Sequence, residues 1–136
     1  MSKLAKANLV VFGLLIAHLL DHAFNQPSRD LPATGSAIAV IGFAIIAAST
    51  VLAVRRSPLA PLAAVLAGTG SALGFAAIHI VPSWSDQISD PYWDFSANTL
   101  SWVLVIAPII ASVALAIFGL REMNHHLSRD GQPDAA

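Results

Sequence analysis

Four apolar stretches, each long enough to cross a membrane as a helix, fill most of this 136-residue chain. They cover residues of about 8–24, 35–54, 62–81 and 99–120. A helix that crosses the roughly 30 Å hydrocarbon core of a bilayer needs about 20 residues. Because backbone N–H and C=O groups must pair internally in lipid, the stretches are predicted to be helices rather than strands.

The composition supports insertion into a membrane. Hydrophobic residues make up 56% of the chain and charged residues 11%, whereas a soluble domain usually has about 25% charged residues. With so few charges the chain could not cover its surface with polar groups, so the apolar stretches are expected to face lipid. The predicted fold is all-α: a polytopic membrane protein whose four transmembrane helices form a bundle with short loops.

One membrane domain is predicted over residues 1–124. The remaining segment, 125–136, is mostly polar and contains Gly131 and Pro133. Chain ends of this composition are poorly ordered unless they are tied down. Residues 125–136 are therefore predicted to be a disordered C-terminal tail.

The basic residues predict the orientation of the chain, because Lys and Arg accumulate on the cytoplasmic side of membrane proteins. Six of the seven lie on one side of the predicted spans: Lys3, Lys6, Arg55, Arg56, Arg121 and Arg129. The opposite, outer side has Arg29. The chain is therefore predicted to be a multi-pass protein of the cell membrane, with both termini in the cytoplasm.

Ionisable residues gather near the outer ends of the predicted spans. His18, Asp21 and His22 have spacings of three and four, which places them on one face of the first helix. His79 lies at the same depth in the third span. Such residues are costly within a membrane unless they face protein or water, and they are functional candidates for that reason.

These four residues favour a metal or cofactor site. Neutral imidazoles at positions i and i+4, here His18 and His22, can chelate one ion, and Asp21 can be a further ligand or can orient an imidazole. His79 from another helix would complete a site suited to zinc, copper or iron. Alternatively, His18 or His22 could pair with His79 as the axial ligands of a b-type haem. The leading hypothesis is a small membrane protein that binds a metal, haem or small ligand, as an accessory subunit of a larger complex.

The sequence HLLDH, from His18 to His22, also resembles the HxxEH motif of inverted zinc peptidases. The resemblance covers five residues, and Asp21 stands where that family has glutamate. No catalytic role is carried over on this basis, and an enzymatic activity is less favoured than binding.

Two other functions fit the same residues. A proton-coupled transporter of small solutes would use His18, Asp21 and His79 as a proton relay, and it would act as a dimer because four spans enclose little volume. A structural or assembly protein would use them for interhelical hydrogen bonds, which average about 0.6 kcal/mol in membranes. The scattered basic residues exclude a nucleic-acid footprint, and the lack of cysteine excludes thiolate ligands.

Small residues suggest where helices approach one another. Gly70 and Gly74 form a GxxxG motif in the third span, which allows close contact between helix backbones. Packing within the bundle is the favoured interpretation, and a homodimer or larger membrane complex through the same face is the alternative.

The fourth span has a partly polar side that is suited to line a cavity. It is formed by Asn98, Ser101, Val105, Pro108 and Ser112. Pro108 lacks a backbone N–H, so it is predicted to free a carbonyl group of the preceding turn.

The loop before the fourth span is rich in aromatic and acidic residues. Together with Trp102 of the fourth span, Trp84, Tyr92 and Trp93 are predicted to form an aromatic belt at the level of the lipid headgroups. Asp86, Asp90 and Asp94 recur every four residues, which predicts either an acidic stripe on a short surface helix or solvated positions of a loop.

Overall fold

The computed structural model describes residues 1–26, 33–94 and 96–130. Within these ranges the chain forms helices and no strand: α1 (Lys3–Asn25), α2 (Ala33–Val54), α3 (Ala60–Phe75) and α4 (Thr99–Asp130). A π-helical turn, Ala76–Ile80, extends α3, and a 3₁₀ turn, Tyr92–Asp94, lies in the connection to α4. All four helices are long and apolar enough to cross a membrane. These features confirm the predicted four-helix membrane bundle.

The helices differ from the predicted spans at their ends. α1 begins at Lys3 rather than at about residue 8, because the Ser2 hydroxyl caps it by accepting a hydrogen bond from the Ala5 N–H at 3.1 Å. α4 continues to Asp130, so residues 125–130 of the predicted disordered tail are helical. Residues 131–136 lie outside the described part of the chain.

Each helix packs against the next one in the chain, and α4 packs against α1, which closes the bundle. The contact between α3 and α4 is the most extensive, because glycines let the two backbones touch. A Cβ atom on Gly68 would lie 2.6 Å from the Ser112 carbonyl oxygen. One on Gly119 would lie 2.7 Å from the Pro61 carbonyl oxygen.

The GxxxG pair lies on a different face of α3. A Cβ atom on Gly70 or Gly74 would have nothing within 4 Å. The prediction that this pair packs inside the bundle is therefore wrong for the described residues. Gly68 makes the close contact instead. Contact of the Gly70 and Gly74 face with another chain stays a prediction.

Buried polar residues connect the helices at both ends of the bundle. Near the chain termini, Asn8 is fully buried, and its Oδ1 accepts a hydrogen bond from the Ser49 hydroxyl at 2.7 Å.

On α4, the predicted polar side faces the interior: Ser101, Val105, Pro108 and Ser112 are buried. Asn98 is exposed and caps α4 by accepting a hydrogen bond from the Ser101 N–H at 2.9 Å.

Candidate metal centre

Three histidines meet at the end of the bundle where α1 and α3 finish and α4 begins. His18 and His22 lie one turn apart on α1, and His79 lies in the π-helical turn. The ring centroid of His18 is 4.7 Å from that of His22 and 4.9 Å from that of His79, and the remaining pair is 5.8 Å apart. The nitrogen atoms that these side chains offer lie within 4.8 Å of one another, so the three residues could hold a metal ion.

The π-helical turn positions His79. Pro82 disfavours a helical conformation of the residue before it, and Val81 is extended, with φ −68° and ψ 136°. The N–H of Val81 donates to the carbonyl of Ala76 at 3.0 Å, five residues back. This wider turn changes the direction of the His79 side chain relative to a regular helix, and such turns occur frequently at functional sites.

The His79 ring is oriented by the backbone of the following loop. Its Nδ1 lies 3.2 Å from the carbonyl oxygen of Asp90. In the tautomer that carries the proton on Nδ1, this nitrogen donates to the carbonyl and Nε2 keeps its lone pair. Metal-binding imidazoles usually have this arrangement.

Of the two histidines on α1, His18 is the more deeply buried. The side chain is 7% exposed, and its Nδ1 is buried without a hydrogen bond of normal geometry. The ring packs on Phe75, with centroids 4.8 Å apart, and it faces the backbone of Leu104 on α4. Pro108, four residues further along α4, has no N–H for the Leu104 carbonyl. The carbonyl that Pro108 was predicted to free is therefore that of Leu104, and it faces the histidine group.

Asp21 is close to the histidines in sequence, but its carboxylate is held by other side chains. Oδ1 accepts a hydrogen bond from Asn25 Nδ2 at 2.7 Å, and Oδ2 accepts one from Gln26 Nε2 at 2.8 Å. Ser101 of α4 is a further hydrogen-bonding partner. The group of three residues that could hold an ion does not include Asp21. A role for Asp21 as a metal ligand stays a prediction.

Gln26 and Tyr92 connect Asp21 to His22. Nε2 of Gln26 donates to the Tyr92 hydroxyl at 3.1 Å, and that hydroxyl lies 3.4 Å from His22 Nε2. Tyr92 is 1% exposed, so its predicted place in a headgroup belt is wrong. The sequence held one usable signal, because Gln26 continues the His18 and His22 face by another four residues.

Asp90 is a second residue of this loop that the sequence placed at the surface and the structure buries. It is 4% exposed, whereas Asp86 and Asp94 are both exposed. Its Oδ2 lies 3.9 Å from His22 Nε2 and 3.8 Å from His79 Nδ1. The regular spacing of the three aspartates gives no signal that separates the middle one from the others.

Two tryptophans hold the loop against the π-helical turn. Trp84 Nε1 donates to the Ala77 carbonyl at 2.6 Å, and Trp93 Nε1 donates to the Ile80 carbonyl at 2.8 Å. Terminal carbonyls of a helix have no donor from the next turn. The indoles therefore cap the end of the segment that carries His79, in addition to exposing their rings as the sequence predicts.

Replacing either tryptophan by phenylalanine is expected to loosen this end of the bundle. Trp84→Phe and Trp93→Phe keep an aromatic ring and remove the N–H donor, so each should cost about 1 kcal/mol of local stability. The measurement is hydrogen exchange, which should accelerate at the amides of Val81 and Asp90. Amides of α2 are the internal control. Unchanged exchange at Val81 and Asp90 would show that the indole hydrogen bonds do not order this turn.

Comparisons with protein-family models, curated proteins and solved structures find no match to this chain. The function is therefore inferred from the histidine group and its surroundings.

Proposed function

We propose that this chain is a small cell-membrane protein that binds one divalent transition-metal ion through His18, His22 and His79. The observation that carries the proposal is the convergence of three imidazoles, from two helices, with ligand nitrogens within 4.8 Å. The distribution of basic residues supports cytoplasmic termini. The ion would then lie at the outer end of the bundle.

The spacing of the rings supports coordination of a single ion. Metal–nitrogen bonds of about 2.0–2.1 Å at tetrahedral angles place the centroids of coordinating imidazoles about 5 Å apart. The three centroid distances here are 4.7, 4.9 and 5.8 Å. Modest ring rotations would bring the nitrogens to the spacing of about 3.4 Å that such a site requires. Imidazole ligands suit zinc, copper, iron and nickel.

The same contacts favour a metal ion over a b-type haem. Two axial imidazoles lie on opposite faces of the porphyrin, which places their centroids about 6 Å apart with the macrocycle between them. The centroids of His22 and His79 are 5.8 Å apart, close to that spacing, but the His18 ring makes edge contacts with both, at 4.7 and 4.9 Å. A ring in contact with both leaves no slot for a macrocycle between them, and His18 itself is too close to either partner to be an axial ligand.

Titration of the detergent-purified full chain with Co²⁺ tests the proposal. Co²⁺ reports its coordination by visible d–d absorption, which is intense at a tetrahedral site. We expect one ion per wild-type chain. His79→Ala removes a direct ligand. Loss of a group that only hydrogen-bonds to a ligand weakens metal binding by about 10–100-fold, so the apparent Kd should here rise by at least about 100-fold. His125→Ala, at an exposed residue near the other end of α4, should bind as wild type does.

Folding is checked by circular dichroism and gel filtration before the comparison. Folded wild-type protein that gives no stoichiometric tetrahedral Co²⁺ spectrum would contradict the proposal. Equal affinities of the His79→Ala and His125→Ala variants would also contradict it, because binding would then not involve the histidine group.

A further inference from the structure

Asp90 comes from the loop and lies beside the histidine group, although it is not one of the three residues whose ligand atoms lie within 4.8 Å of one another. The side chain is 4% exposed, while Asp86 and Asp94, four residues to either side, are exposed. Burial of a carboxylate is costly unless charged or hydrogen-bonding groups surround it. The loop therefore folds so that one of its three aspartates faces the end of the bundle.

The backbone of Asp90 is fixed on the same turn that carries His79. Its N–H donates to the Ile78 carbonyl at 2.9 Å, and its carbonyl oxygen lies 3.2 Å from His79 Nδ1. These two contacts flank the Asp90 Cα atom. These contacts consequently fix the position of the Asp90 Cα atom relative to the His79 ring.

The carboxylate of Asp90 lies beside two of the three imidazoles. Oδ2 of Asp90 lies 3.9 Å from His22 Nε2 and 3.8 Å from His79 Nδ1. Both distances are too long for hydrogen bonds. The distance to His22 Nε2 is near the value of about 3.4 Å that separates two donors on one tetrahedral ion with bonds of about 2.0–2.2 Å. His79 would bind through Nε2, because its Nδ1 faces the Asp90 carbonyl. An ion bound to His22 Nε2 would need only a small shift of the Asp90 oxygen.

We propose that Asp90 is the fourth ligand, so that three imidazoles and one carboxylate enclose the ion. This inference rests on the proposed metal site. An oxygen ligand beside three nitrogens selects a borderline divalent ion such as Zn²⁺ or Fe²⁺ over Cu⁺, which prefers soft sulfur ligands. Four protein ligands also close the site, as in structural zinc sites, whereas catalytic zinc sites keep a position for water.

The experiment uses the fact that the chain has no cysteine. Asp90→Cys introduces a single thiol, and a thiolate bonded to Co²⁺ produces a charge-transfer absorption in the near ultraviolet. Asp86→Cys, at an exposed position of the same loop, is the matched control. We expect the charge-transfer band in Asp90→Cys at one ion per chain, and its absence in Asp86→Cys and in wild type.

A second pair of variants keeps the inference testable if the cysteine variant does not fold. Asp90→Asn should weaken Co²⁺ binding by at least about 10-fold, and Asp86→Asn should leave it unchanged. If wild type binds Co²⁺ tetrahedrally while Asp90→Asn binds equally well and Asp90→Cys lacks the band, Asp90 is not a ligand and the histidine site stands. If wild type binds no Co²⁺, both proposals fail.

Discussion

A His18→Leu variant is expected to be more stable than wild type without metal and less stable than wild type with it. His18 is 7% exposed, and its buried Nδ1 makes no hydrogen bond of normal geometry. An unsatisfied buried polar group costs about 1–3 kcal/mol, and leucine fills similar space without a polar atom. Because leucine leaves the Leu104 carbonyl without the imidazole, we expect a net gain of about 1 kcal/mol, at the low end of that range.

With metal bound, wild type should instead be more stable than His18→Leu. A ligand at 100 times its Kd stabilises the native state by about 2.7 kcal/mol, and His18→Leu should lose this increment. The measurement is thermal unfolding in detergent, with a chelator and with Zn²⁺. His125→Leu, at an exposed residue, should match wild type in both conditions. A His18→Leu protein that is destabilised without metal, and stabilised by Zn²⁺ as much as wild type, would identify His18 as a structural bridge between helices.

A Gly68→Ala variant is expected to lose about 2–3 kcal/mol of stability, the upper part of the range for overpacked cores. The added Cβ would lie 2.6 Å from the Ser112 carbonyl oxygen and 2.7 Å from the Ala116 nitrogen. Both atoms belong to the backbone of α4, so no side-chain rotation relieves the clash. The two helices with the most extensive contact in the bundle would have to separate.

Gly70→Ala is the matched control on the same helix. A Cβ there would meet nothing within 4 Å, and alanine favours a helix over glycine by up to about 1 kcal/mol. The variant should therefore be as stable as wild type or slightly more stable. Thermal or denaturant-induced unfolding of the monodisperse detergent-purified proteins measures the difference. Similar losses in the two variants would mean that Gly68 does not set the distance between α3 and α4.

The helices could be predicted from sequence because the bilayer leaves few alternatives. Length, apolarity and the need to pair backbone groups were sufficient for α1 to α4. The convergence of His18, His22 and His79 also followed from simple geometry. Two of them share a helical face, and the third was expected at the same depth on another helix.

The rest of the site depends on contacts that no local pattern encodes. Asp90 and Tyr92 are buried because the loop hydrogen-bonds to the end of α3 through its backbone and through two indoles. In sequence, Asp90 resembles its exposed neighbours. The choice of Gly68 over Gly70 depends on the rotation of α3 against α4, and the GxxxG pattern indicated the wrong glycines.

The π-helical turn lets the histidine group tolerate a difference of one residue in chain length. Such a turn holds one residue more than a regular α-helical turn, and each α-helical residue advances the side-chain direction by about 100°. Deleting one residue between Phe75 and His79 would restore a regular helix and leave His79 close to its present direction, because the wider turn absorbs the extra residue. A regular helix with the present number of residues would instead rotate His79 by up to about 100° away from the other imidazoles. Homologues that share the site could therefore differ by one residue in the spacing from Gly68, where α3 contacts α4, to His79.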